Sequence, residues 1–194
     1  GVRFPRGPGT LSVIPVHTST PQVLEGTEGA AQPFWSADSR WIGFFAGGKL
    51  KKVEVSGGPP KEIGNAPDFA GGAWAGDGTI LFGSTKGLLR VSDQGGNPEL
   101  ITKLQPAENG HFWPRILPDG KHFLYLAWTG QASNRAIVAG LLGSKETTPI
   151  MTAAESQALY AEPGFLIFHR ERTVYAQPFS ASKLKLSGDP VRIA

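Results

Sequence analysis

Three aspartates recur at matching positions of similar segments and are the first candidates for chemistry. Asp38, Asp77 and Asp119 each precede a run of apolar residues. Carboxylates that converged on one site could act in acid–base catalysis or bind a metal ion. Each aspartate is followed by Ser or Gly, however, which is typical of tight turns in which the carboxylate accepts backbone N–H groups. We therefore predict a structural role for all three.

Histidine is the second candidate for acid–base chemistry. His169 has a carboxylate two residues away, Glu171, but Arg170 and Arg172 flank the pair, which favours a surface ion pair over a metal site. His111 follows Asn109 in a segment that leads into a predicted strand, so it is the one candidate catalytic residue. The alternative for His111 is a neutral surface histidine. The remaining histidines, His17 and His122, are dispersed along the sequence. No metal site or cofactor is predicted.

The sequence lacks motifs for nucleophilic catalysis and for phosphate binding. No Gly-x-Ser-x-Gly occurs, and the 82–87 segment carries its glycines at the wrong offset for a nucleophile elbow. The pairs Gly57-Gly58 and Gly95-Gly96 precede Pro or Asn-Pro, whereas a phosphate loop continues into Lys-Ser/Thr and a helix. The absence of cysteine excludes thiolate zinc sites, cysteine nucleophiles and disulfides.

Composition predicts many short elements joined by turns. Of 194 residues, 26 are Gly and 16 are Pro, while 40% are hydrophobic, which is enough apolar surface for a core. A net charge of +3 with scattered basic residues does not predict nucleic-acid binding. No stretch of about 18 apolar residues occurs, so this segment is not expected to insert into a membrane.

A repeated unit is the main structural signal. Trp35, Trp74 and Trp113 are 39 residues apart, and each begins an aromatic segment that reaches a turn and a β-like run. Four short runs separated by turns, one of which is Asp-Gly or Asp-Ser in each of three units, fit one four-stranded blade, and about 40 residues per repeat is the period of a propeller. We expect the three tryptophans to be packing anchors between blades.

The fold class that follows is all-β, a β-propeller of four-stranded blades with four full blades and a partial N-terminal one. We predict one domain over residues 1–194, with the partial blade at 10–25 and full blades at about 32–64, 71–102, 111–151 and 158–194. A β-sandwich or a solenoid also contains many short strands, but neither requires a tryptophan at constant spacing.

The repeats resemble a known family. The segments 35–44 and 117–125, together with the two double-glycine turns, resemble TolB-like, or WD-like, propeller repeats. More narrowly, the segments 44–53, 66–82 and 177–179 look like the propeller that follows the membrane span in many bacterial serine/threonine receptor-like kinases. The resemblance covers roughly residues 10–194, and no kinase signature is present in this chain.

This resemblance implies an extracytoplasmic sensor module, periplasmic or at the cell surface. It also implies about six blades, which is more than the four to five that this length supports. Because an incomplete propeller exposes apolar blade faces and unpaired strand edges, we expect self-association that completes or covers them.

The connections that lead into each blade are the predicted binding positions. A repeated scaffold fixes geometry while its loops tolerate change, so binding residues collect there. The connections 64–71, 105–112 and 152–159 differ most between repeats, and an enlarged hairpin lies at 128–135. Trp128 on this hairpin is either exposed for contact or packed. The candidate ligand-binding residues are Asp68, Phe69, Glu108, Asn109, His111, Trp128 and Glu155.

Two functions remain open from the sequence. The first is a non-catalytic propeller that binds a small ligand, a peptide or a protein, as a sensor or interaction module. The alternative is a propeller hydrolase, an esterase or lactonase, with a histidine or an acid in the central channel as general base. Such a site is assembled from single residues on different blades, so sequence spacing does not reveal it.

Overall fold

The structure is a computed structural model that describes residues 9–17 and 20–194. These residues form short antiparallel strands, and the one helical segment among them is a 3-10 turn at Ala132–Asn134. The chain divides into two compact units. The first unit runs to Phe82 and includes Arg90–Glu99, and the second contains Gly83–Leu89 and Leu100–Ala194.

The first unit begins with a small sheet of β1 (Ser12–Val13) and β2 (Gln22–Val23), which is the predicted partial blade. Blade 1 contains β3 (Ala31–Trp35), β4 (Trp41–Ala46), β5 (Lys49–Glu54) and β6 (Lys61–Asn65), paired in that order. Blade 2 contains β7 (Gly72–Trp74), β8 (Thr79–Phe82), β9 (Leu89–Ser92) and β10 (Glu99–Leu100), in the same order.

The second unit contains two more sheets. Blade 3 is formed by β11 (Glu108–Ile116), β12 (His122–Thr129), β13 (Ala136–Leu141) and β14 (Thr147–Thr152). Blade 4 is formed by β15 (Leu159–Ala161), β16 (Phe165–Arg170), β17 (Thr173–Ser180), β18 (Lys185–Leu186) and β19 (Val191–Arg192), and both of the last two strands pair with β17. The described residues thus contain four full blades and a partial one, as predicted, whereas a single domain over 1–194 remains a prediction.

The recurring aspartates shape the turns between the first two strands of blades 1 to 3. Their Oδ1 atoms accept backbone N–H groups two residues on, at 3.0 Å for Asp38, 2.9 Å for Asp77 and 2.9 Å for Asp119. The hydroxyl of Ser36 donates to Asp38 and, with the Arg40 N–H group, lowers the pKa of that carboxyl. The predicted structural role is confirmed for all three.

The core of the second unit lies between blades 3 and 4. Strand alternation places apolar residues of both sheets in one cluster, which includes Leu124, Leu126 and Ile137 of blade 3 with Leu166 and Phe168 of blade 4. In the first unit Phe34 lies across the backbone of Gly43 and Gly72. A Cβ atom on either glycine would come within 2.5 Å of the ring, so the packing of blade 1 on blade 2 requires both glycines.

The tryptophan anchors behave differently from one another. Trp74 is only 7% exposed, which confirms the prediction, and Trp113 is half-buried. The prediction is wrong for Trp35, which is 39% exposed. The reason is a register shift between Ala31 and Phe34 that gives the buried position on β3 to Phe34 instead of its neighbour.

Candidate functional site

His111 lies inside blade 3 and not on a surface. It occupies β11, is 1% exposed, and exchanges backbone hydrogen bonds of 3.0 and 3.1 Å with Ser84. The predicted connection 105–112 is therefore shorter than expected, because Glu108 already begins the strand. A surface histidine was the simpler expectation, and it is wrong because residues on both sides of β11 enclose the ring.

Both ring nitrogens of His111 have partners. Nδ1 lies 2.7 Å from the hydroxyl of Thr102, and Nε2 lies 3.0 Å from a carboxylate oxygen of Glu108. Burial lowers the pKa of His111, while Glu108 opposes that shift, so the ring is neutral. Since a carboxylate only accepts, Nε2 carries the proton and donates to Glu108, and Nδ1 accepts from Thr102.

Thr102, His111 and Glu108 form a hydrogen-bonded series from hydroxyl to imidazole to carboxylate, and a nucleophile relay has its groups in the same order. Accessibility decides against that role, since Thr102 is 9% exposed and its hydroxyl oxygen also accepts the Leu88 N–H group at 2.8 Å. The Tyr125 ring covers the imidazole at a centroid distance of 4.6 Å. The same burial raises the pKa of Tyr125 to about 12. The network is therefore enclosed and satisfied.

A second cluster lies at the end of blade 3 where the enlarged hairpin turns. Trp128 is half-buried, and the guanidinium carbon of Arg135 lies 3.4 Å above its ring centroid. The Nε atom of Arg135 donates to the Thr129 carbonyl at 3.2 Å. On its other sides Trp128 meets Phe112 and Trp113, at centroid distances of 5.9 and 6.2 Å. Trp128 is thus packed and still partly accessible.

The connection between blades 3 and 4 brings further polar groups to the second unit. Gln157 accepts a 3.0 Å hydrogen bond from Arg115, and Arg170 donates to the Thr152 carbonyl at 3.3 Å. Glu155 lies 3.2 Å from Nδ1 of His169. The predicted partner of His169 was Glu171, which is wrong, because β16 directs the histidine to the preceding connection.

The predicted binding residues therefore divide between the two units. In the second unit Glu108 joins His111, and Asn109 is exposed on the same strand. In the first unit Phe69 stacks on the core residue Phe45, with ring centroids 4.4 Å apart and nearly parallel, so it packs where binding was expected. Asp68 beside it is half-buried.

Sequence reasoning missed the arginines and the threonine of these clusters. Thr102 lies in a segment without a motif, and the repeat alignment does not single it out. Arg135 is the last residue of the hairpin that the sequence identified, so its proximity to Trp128 was the available signal. Arg115 and Arg170 lie on strands, and their alternation with apolar neighbours was the only sequence signal for the sheet face on which each lies.

Two general properties of the described residues bear on function. Across residues 9–17 and 20–194, no group of three or more potential ligands among His, Asp and Glu is placed to hold one metal ion. Within the same residues no helix is long and apolar enough to cross a membrane.

The chain has no match among protein-family models and none among curated proteins. Solved structures do match it. A TolB-type protein of Agrobacterium tumefaciens has a TM-score of 0.71 at 18% identity, and the match covers 98% of this chain and 71% of that one. TolB from Acinetobacter baumannii has a TM-score of 0.70 at 14% identity, and the match covers 94% of this chain and 49% of that one.

Virginiamycin B lyase from Staphylococcus aureus is also similar, with a TM-score of 0.68 at 15% identity over 96% of this chain and 64% of that one. This chain thus spans between about half and 71% of the length of these three structures. Likeness at such identities concerns the fold. The chain has an all-β fold of the TolB-like β-propeller type, as its repeats predict.

Proposed function

We propose that this chain is a non-catalytic binding propeller whose ligand, a small molecule, a peptide or a protein, meets the loop ends of blades 3 and 4. One observation carries the proposal. His111, the candidate general base, is 1% exposed and hydrogen-bonded at both ring nitrogens. A base must reach the proton that it abstracts, so an enclosed imidazole with two internal partners serves the fold.

The enzyme alternative has no comparable support. Structures of this fold include both TolB proteins and a lyase. Since one fold hosts unrelated functions, the similarity favours neither, and the proposal rests on the residues of this chain. Thr102, the hydroxyl that would act as nucleophile in a relay with His111, is buried as well.

The loop ends of the second unit have the composition of a binding surface. Trp128 and Arg135 form a stacked pair on the hairpin, and tryptophan and arginine are enriched where binding energy concentrates. The hairpin residues Gln131 and Asn134 are exposed beside them. The connection that contains Glu155 lies beside the hairpin, since the Ala154 N–H group donates to the Arg135 carbonyl at 3.3 Å.

The sensor role and the extracytoplasmic location are proposed from the resemblance to receptor-like kinase propellers alone. Self-association is proposed on separate grounds. In blade 4 Leu159 is 42% exposed and Val191 is 62% exposed, so an apolar strip of the last sheet is uncovered among the described residues. A second copy would bury such a strip.

Two assays on the full chain test the binding function. The first screens ester and lactone substrates against wild type, His111→Gln and a heat-treated control, and we expect no turnover above that control. The second follows wild type by NMR during a fragment and peptide screen, and we expect shifts at residues 130–135 and 152–158. Turnover that disappears in His111→Gln, or binding confined to other segments, would contradict the proposal.

A further inference from the structure

We propose that the ligand carries an oxyanion, a carboxylate or a phosphate, which Arg135 and Arg170 hold at the mouth of the seam between blades 3 and 4, with Arg115 deeper in it. The inference rests on the proposed binding function and specifies its ligand class. No sequence motif predicts such a site, because its three arginines come from three strands or strand ends.

Strand alternation places the three arginines on the faces of blades 3 and 4 that meet in one seam. Arg135 precedes Ile137 by two residues, and Arg170 follows Phe168 by two, so each continues a row of residues that faces the core between the blades. Arg115 is directly opposite Leu124 on the neighbouring strand, and cross-strand partners share a face. Leu124 belongs to the same core.

Each arginine is held in place by neutral acceptors. Arg135 donates to the Thr129 carbonyl at 3.2 Å, and Arg170 donates to the Thr152 carbonyl at 3.3 Å. Arg115 donates to the side-chain oxygen of Gln157 at 3.0 Å. A guanidinium has five N–H donors, so most donors of each group have no acceptor in the described part of the chain.

In the described part of the chain, the seam lacks the acidic partners that buried arginines usually have. Within residues 9–17 and 20–194 none of the three arginines forms an ion pair, and the Nε atoms of Arg115 and Arg170 are buried without an acceptor. Glu155, the acid of the adjoining connection, pairs with His169 instead. Burial lowers the pKa of Arg115, because desolvation disfavours the charged form of its side chain.

A guanidinium cation in a partly buried seam loses hydration, so an anion bound beside it would stabilise the arrangement. The planar fork of a guanidinium matches a carboxylate or a phosphate group, because two of its N–H groups can donate parallel hydrogen bonds to two oxygens of that group. Trp128, which stacks on Arg135, and the neighbouring Trp113 offer aromatic surface beside it. The geometry thus fits an oxyanion attached to an apolar or aromatic group.

The test uses three probes of similar size on the full chain: 3-phenylpropionate, phenyl phosphate and the uncharged 3-phenylpropanamide. Binding is measured by calorimetry and by the NMR shift of the Trp128 indole N–H. We expect at least one anionic probe to bind about tenfold or more tightly than the amide. Arg135→Gln and Arg170→Gln should each weaken that binding about tenfold, which corresponds to about 1.4 kcal/mol. The exposed Lys183→Gln is the matched control and should bind like wild type.

Salt dependence provides a second readout that does not depend on a variant. Binding of the anionic probe should weaken as sodium chloride is raised, whereas binding of the amide should not. Preference for phenyl phosphate or for 3-phenylpropionate would identify which oxyanion the seam selects, and either supports the proposal.

Three results would overturn the oxyanion site: equal affinity for the amide and the anions, unchanged binding in both arginine variants, or no anion binding at all. If the amide binds at Trp128 with equal affinity, the oxyanion inference fails while the binding function stands. If ester or lactone turnover depends on His111, the binding function itself fails.

Discussion

The hydroxyl of Thr102 lies 2.7 Å from Nδ1 of His111, and this bond fixes the connection after β10 against the first strand of blade 3. The same hydroxyl oxygen accepts the Leu88 N–H group at 2.8 Å. Glu108 completes the chain at the other ring nitrogen. A buried polar network in which every member is satisfied adds rigidity, and it is costly to break.

Thr102→Val is predicted to destabilise the protein by about 1–3 kcal/mol, because the isosteric methyl group leaves the Leu88 amide and a histidine nitrogen buried without partners. The measurement is the urea midpoint, followed by tryptophan fluorescence. Thr148→Val on the exposed part of β14 is the control and should shift the midpoint little. Equal midpoints for the two variants would show that the Thr102 bond contributes nothing.

Stability is predicted to depend on pH through His111. Burial holds the pKa of His111 below its usual value of 6.5, so between the two values the unfolded state binds more protons than the folded state. The free energy of unfolding therefore rises with pH in that window. The contribution of the neutral ring is complete above pH 6.5 and is lost as the pH falls through the lower, folded-state pKa.

The check is chemical denaturation at several pH values from about 7.5 down to about 5, above the range in which most carboxylates titrate. His111→Gln should flatten the loss of stability on acidification, whereas His17→Gln, at an exposed position, should leave it unchanged. A wild-type protein that is equally stable at both ends of this range would contradict the prediction.

Lys52 joins blades 1 and 2 of the first unit and is the subject of the third prediction. Its ammonium group donates to the Asp93 carbonyl at 2.7 Å and lies 4.9 Å from the ring centroid of Trp41. Lys52→Met keeps the length of the side chain but removes both interactions, so we expect a loss of about 1–3 kcal/mol.

The neighbouring Lys51→Met removes the same charge from a half-exposed position and serves as the control. Both variants are compared by urea denaturation at low and high salt. If both lysine variants lose the same stability, removal of one positive charge explains the loss. The contacts of Lys52 with Asp93 and Trp41 would then contribute nothing specific.

The fold could be predicted because it depends on local chemistry that repeats. The Asp-Gly and Asp-Ser turns and the 39-residue tryptophan spacing predict the first three full blades, and the structure contains them. The candidate site could be predicted only in part. Trp128 was identified because the hairpin around it is longer than its counterparts, and Glu108 and His111 because they lie near a blade boundary.

What the sequence did not reveal depends on contacts between distant segments. Ser84 and Thr102, which contact His111 in its buried position, belong to segments other than β11, and no motif in the sequence links them to it. The partner of His169 is Glu155, on the far side of β15, because pairing of the strands outweighs proximity in sequence. The exposure of Trp35 follows from a bulge at Gln32, whose positive φ of 46° no residue pattern indicated.

Trp35 and Trp74 occupy equivalent positions in the repeat, and their substitution tests whether structure or repeat position sets their importance. Trp74 is 7% exposed, and its ring meets Phe34 edge-on at a centroid distance of 6.3 Å. Trp74→Ala should therefore cost about 3–5 kcal/mol through lost burial and the cavity that remains. Trp35→Ala should cost about 1 kcal/mol or less, because a side chain that is 39% exposed gives up less buried area.

Equilibrium urea denaturation of both variants gives the comparison, and circular dichroism confirms that each retains the wild-type sheet content. Equal destabilisation by the two substitutions would mean that Trp35 packs as the repeat predicts, with the bulge at Gln32 absent in solution. A small effect of Trp35→Ala beside a large effect of Trp74→Ala would instead show that a single register shift can remove an anchor from a blade while the blade itself is kept. In that case Phe34→Ala should be as costly as Trp74→Ala, because Phe34 has taken over the buried position.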